Sequence, residues 1–101
     1  MFLIVHYTEL SKFFQVFYIK IMNKRDAQEI SNRIVAFLRE ERLKKGISQY
    51  KLAKDISMSK SSILYIENFT QHPSLYTTLL IANYLDVDIS EIIKKSTLKH
   101  D

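Results

Sequence analysis

Between Ala36 and Pro73 the chain carries seven basic side chains: Arg39, Arg42, Lys44, Lys45, Lys51, Lys54 and Lys60. Four acids oppose them, Glu40, Glu41, Asp55 and Glu67. From Ser74 to Ile93 the balance reverses, with Asp86, Asp88 and Glu91 and no Lys or Arg. The middle of the chain can therefore present a basic face, and the part after it cannot. A basic face suits a polyanion such as nucleic acid, whose phosphates attract cations regardless of sequence. The net charge of +4 and pI of about 9.3 permit that partner without establishing it. Lys60 can donate to guanine O6 and N7, serine hydroxyls adapt to several partners, and polar side chains at helix starts hold phosphates.

Other chemistry lacks its residues. The chain has no cysteine, which removes disulfides, thiolate zinc sites and cysteine nucleophiles. That is also the habit of a reducing compartment, so a cytoplasmic setting is expected. His6, His72 and His100 lack metal-ligand spacing, and neither metal nor cofactor is expected. No Ser/His/Asp arrangement, glycine-rich phosphate loop or clustered carboxylate pair suggests an enzyme.

The elements that position these groups must be helices. A length of 101 residues holds one small domain, and 47% hydrophobic with 26% charged residues is ordinary globular composition. One Gly and one Pro leave little for hairpin turns, so the expected class is all-α. Residues 1–25 read as an N-terminal extension, 26–95 as the domain and 96–101 as a polar tail. In the extension, Leu3, Tyr7, Leu10, Phe14, Phe17 and Ile21 fall on one helical stripe. It reads as a packing arm or as upstream sequence before a start at Met22, and its charges argue against a membrane span.

Five helices follow from capping and spacing. Asp26 with Glu29 has capping-box spacing, and Ile30, Ile34, Phe37 and Leu38 follow at helical intervals. Gly46 stands where that helix should stop. Ser48 reads as the N-cap of a short helix with Leu52, Ala53 and Ile56, and Ser59 as that of the next. There Ile63 and Ile66 face inward, while Lys60, Ser61, Leu64 and Tyr65 do not. Pro73-Ser74 opens a fourth helix carrying Leu75, Leu79, Ala82 and Leu85, and Asp88 to Glu91 opens a fifth.

Gln49 to Glu67 is the informative stretch. Two short helices joined by a brief break must cross steeply, with Ala53 at the closest approach. Leu52, Ile56, Ile63 and Ile66 form the shared apolar wedge, and Met58 plugs it. One helix braces while the other stands proud enough to enter a major groove.

Residues Ile34 to Ile93 resemble the lambda-repressor-like DNA-binding domain, the Cro/C1-type (XRE) helix-turn-helix family. The resemblance rests on Leu38-Arg39-Glu40-Glu41-Arg42, Gly46-Ile47-Ser48-Gln49, Leu52-Ala53, Ile63 with Ile66-Glu67-Asn68, Pro73-Ser74-Leu75, Ile81-Ala82 and Leu85-Asp86-Val87. It implies a compact five-helix domain in which Lys60 and Ser61 lie nearest the base edges and Tyr65 is one turn on. Gln49, Ser59, Asn68, Thr70 and Gln71 match contacts to the DNA backbone. Arg42 and Glu67 match a pair bridging the first and third helices, with Arg42 near the backbone. A plain surface ion pair is the alternative for Arg42–Glu67, and a place at the core rim is the alternative for Tyr65. Three positions depart from the pattern: the family's glycines are Ser57, Phe69 and Asp86 here. Phe tolerates a left-handed turn poorly, so the Asn68 loop is expected to take a different course.

The resemblance implies a sequence-specific transcriptional regulator, a repressor binding a partly palindromic operator in double-stranded DNA as a homodimer. The alternatives are an antitoxin with a protein partner, a controller protein of a restriction–modification system, or an interaction module without a DNA role.

Overall fold

The computed structural model describes residues 24–97. Five helices make up this region: α1 (Lys24–Lys44), α2 (Gln49–Asp55), α3 (Lys60–Glu67), α4 (Leu75–Tyr84) and α5 (Ile89–Thr97). The apolar stripe of the N-terminal extension, His6, His100 and the end of the tail lie outside the described residues. Helix α1 already includes Lys24, the first described residue, so Asp26 lies within the helix rather than at its cap. A carboxylate near the N-terminal end still complements the positive end of the helix dipole.

Serines open the next three helices. Ser48, Ser59 and Ser74 each have extended backbone, and each hydroxyl accepts from the amide three residues on, at Lys51, Ser62 and Thr77. Asp88 opens α5 through Ser90, whose amide and hydroxyl donate to its carboxylate at 3.0 and 2.7 Å. These bonds favour the charged form and hold the Asp88 carboxyl below its usual range.

One turn type closes four helices. At Gly46 the backbone is left-handed (φ 68°), with Gly46 N–H donating to Leu43 O and Ile47 N–H to Arg42 O. This paired pattern is the Schellman motif. It recurs with left-handed residues at Ser57 (φ 60°), Phe69 (φ 65°) and Asp86 (φ 58°). The residues that follow, Ile47, Met58 and Val87, pack on the core, so these turns also anchor the chain. After Phe69 the corresponding residue is the exposed Thr70. The Asn68 loop thus does not diverge at its first turn. Phe69 adopts the conformation its predecessors adopt, at a cost of about 1–2 kcal/mol that its two backbone bonds offset.

The central cluster joins all five helices through Leu38, Leu52, Ala53, Ile63, Ile81, Ala82, Leu85 and Ile92. Leu52, Ile63 and Leu85 are its largest fully buried members. Burying each of them contributes about 1.5–3 kcal/mol. Ile56 and Met58 lie against this cluster as expected. Ile66 is buried beside Val35 and Pro73, outside the central cluster. The apolar residues expected along α4 divide between a buried and an exposed face. Ile81, Ala82 and Leu85 point inward, while Leu75 is 71% exposed and Leu79 is exposed as well. Helix α4 is apolar nearly all round, so spacing alone does not choose its inner face.

Two substitutions test this packing. Ala53 is buried where α2 meets α3, and Ala53→Leu should lower stability by about 1–3 kcal/mol through overpacking, read as a lower denaturation midpoint. An unchanged midpoint would place Ala53 away from a close crossing. Ser57→Gly should raise the midpoint, by about 0.5–1 kcal/mol, because relief of the left-handed backbone outweighs the entropy glycine adds to the unfolded chain. A lower midpoint would contradict the assigned turn.

Candidate nucleic-acid interface

A buried carboxylate holds together the helices that carry the candidate residues. Arg42 on α1 donates from Nε to Glu67 Oε2 at 2.7 Å and from Nη2 to Glu67 Oε1 at 2.8 Å. Its Nη1 donates to Ile47 O at 2.6 Å. Gln49, the first residue of α2, donates from Nε2 to Glu67 Oε1 at 3.0 Å. Arg42 is 5% exposed and Glu67 9%. The two-pronged geometry is the form in which guanidinium and carboxylate bind most strongly. The plain surface pair is thereby set aside. So is the direct backbone contact expected of Arg42, because its guanidinium is buried and committed to protein acceptors.

Around this network the candidate residues reach solvent. Lys60 and Ser61, at the N-terminal end of α3, are exposed. Among the described residues Lys60 has no ion-pair partner. Tyr65, one turn on, is about half exposed, 47%. Ser59 is occupied as a cap, and its Oγ shares a 2.9 Å bond with Ser62 Oγ. The Asn68 side-chain oxygen accepts from both the amide and the hydroxyl of Thr70. That leaves the amide NH2 as the part of Asn68 suited to a phosphate. The Thr70 hydroxyl, already donating, is less available than expected. Gln71 is exposed, with its backbone amide tied to Tyr65 O at 3.1 Å.

A second tie fixes α2 at its other end. Asp55 Oδ2 accepts from Lys51 Nζ at 2.9 Å and from the Tyr84 hydroxyl on α4 at 2.5 Å. The Tyr84 bond, followed by the Lys51 bond, holds the Asp55 carboxyl below its usual 3.8. The same bonds to Asp55 raise Tyr84 above 10.0 and Lys51 above 10.5. The tie therefore stabilises the fold at neutral pH. It weakens as pH falls through the lowered Asp55 value, and again as pH rises through the raised Tyr84 value. The spacing of Lys51 and Asp55 on one helix was visible in sequence, whereas Tyr84 sits too far along the chain to be paired from spacing.

A family model described as helix-turn-helix matches residues 38–92, more than half of the chain. The chain belongs to the Cro/C1-type helix-turn-helix (XRE) family. No curated protein and no solved structure matches it. As a Cro/C1-type protein it is a DNA-binding transcriptional regulator. The matched span begins at Leu38 in α1 and ends at Ile92 in α5, so it takes in all of α2, α3 and α4. No described helix of this Cro/C1-type domain is long and apolar enough to cross a membrane.

The buried pair generates a prediction. Arg42→Ala leaves the Glu67 carboxylate buried without its main partner and should cost about 3–5 kcal/mol in chemical denaturation. Combining Arg42→Met with Glu67→Leu removes both charges and should recover most of that loss. A double variant no more stable than Arg42→Ala would show that shape, rather than charge pairing, governs the site.

Proposed function

We propose that this regulator is a cytoplasmic repressor that binds a partly palindromic operator as a homodimer and reads it with α3 in the major groove. The observation that carries this reading is the placement of Lys60 and Ser61. They are exposed side by side at the start of α3, and the helix behind them is fixed by the Glu67 network. A lysine there donates to guanine O6 and N7, while Ser61 adapts to several bases. Tyr65, one turn on, reaches the same edge of the duplex. Gln49, Ser59, Asn68 and Gln71 hold the DNA backbone, with Thr70 contributing mainly through its backbone amide and its bond to Asn68. Arg42 acts behind them as a positioning residue, since it orients the carboxylate on which the Gln49 amide rests.

The homodimer is supported by Leu75, Tyr76 and Leu79, an exposed apolar strip on α4 that a second copy would cover. Two symmetric copies place their recognition helices about 34–36 Å apart, one turn of the duplex, which is why the operator is expected to be partly palindromic.

The test separates holding DNA from reading it. Operator sites are first selected from random duplexes. Gln49→Ala should then weaken operator and random DNA by similar factors, because a phosphate carries no sequence. Lys60→Ala should cost about 1–3 kcal/mol more on the operator than on random DNA. Equal losses on both duplexes would make Lys60 a backbone contact and leave base reading to Ser61 and Tyr65. No change with either variant would overturn α3 as the reader.

A further inference from the structure

A cation on the outer face of α1 stands beside the proposed backbone contacts without a strong partner of its own. Arg39 lines one groove with Gln49, Leu64, Asn68 and Phe69, and its side chain is 49% exposed. Its Nε lies 3.8 Å from Glu67 Oε1, beyond hydrogen-bond range. That oxygen is already served by Arg42 at 2.8 Å and Gln49 at 3.0 Å, and Oε2 by Arg42 at 2.7 Å. One carboxylate thus faces two guanidiniums, and Arg42 takes the good geometry. The charge on Arg39 is only weakly compensated. Glu40, the other acid lining the groove, makes no ion pair with it among the described residues.

A half-exposed guanidinium with unused donors suits a phosphate, whose oxygens match its planar fork. The groove supplies what else such a group needs. Gln49 and Asn68 bring amide donors to its rim. Leu64 and Phe69, both exposed, offer an apolar wall for the C–H face of a deoxyribose.

The geometry points to Arg39 as a further DNA-backbone contact, with the groove between α1 and the C-terminal end of α3 seating one phosphodiester of the duplex. This rests on the DNA-facing surface proposed above and extends it onto α1. The contact strengthens binding to any duplex and leaves sequence preference to α3.

The full chain is titrated with its selected operator and with a random duplex of equal length, across a salt series. Losing one phosphate contact removes an affinity factor of about the salt concentration to the power −0.9. Arg39→Gln should therefore weaken both duplexes about eightfold near 0.1 M salt and flatten the log–log salt slope by about 1. Arg39→Lys should keep the parental slope, and the denaturation midpoint of Arg39→Gln should stay at the parental value. An unchanged slope overturns the inference. So does a loss confined to the operator, or one accompanied by a lower midpoint. If Lys60→Ala costs more on the operator than on random DNA while Arg39→Gln binds as the parent does, Arg39 alone is wrong. If the parental chain binds neither duplex, the DNA-facing surface itself is wrong.

Discussion

The Glu67 carboxylate is the point on which the rest of the structure depends. It belongs to α3, accepts two bonds from α1 through Arg42 and one from α2 through Gln49. Three helices are thus referred to a single charged group. Burying that group costs several kcal/mol in lost hydration, and only near-ideal bonds offset it. An apolar cluster of similar volume would hold the helices as firmly. It would not fix the rotation of α3 about its own axis or the direction of the Gln49 amide. Directional bonds set angles, whereas apolar contacts mainly set distances.

Much of the fold was legible because caps are local chemistry. Ser48, Ser59, Ser74 and Gly46 mark helix ends through groups within a few residues of themselves. The place of Asp26 in α1 was less legible, since an acid within a helix and a capping acid look alike in sequence. The turns at Ser57, Phe69 and Asp86 were only partly legible. Each is left-handed, yet none shows the glycine that advertises that conformation. What holds them is a pair of backbone bonds together with the core contacts of Met58 and Val87, which depend on the folded neighbours. The inner face of α4 was hidden for a different reason. Leu75 and Leu79 are as apolar as Ile81 and Leu85, and only the position of the other helices decides which pair is covered.

The candidate site shows the same division. That Lys60, Ser61 and Tyr65 face outward followed from the spacing of Ile63 and Ile66, which fixes the buried face of α3. That Arg42 is sealed inside did not follow, because an arginine four residues before a helix-ending glycine reads equally well as exposed. Side-chain bonds within the loop were also invisible. Asn68 and Thr70 use on each other part of the hydrogen-bonding capacity that each has for a ligand. The Tyr84–Asp55 bond joins residues 29 apart, a separation that only the tertiary fold makes short.

The connections between helices are short, running over 45–48, 56–59, 68–74 and 85–88. Helices α2 and α3 therefore meet after closing only a small loop, whereas α1 meets α5 only across the length of the domain. Small helical domains as a class refold in microseconds to milliseconds. A molecule that opens transiently is restored long before slower processes such as proteolytic cleavage can act on it. Its lifetime in the cell then follows the fraction open at equilibrium rather than the speed of opening.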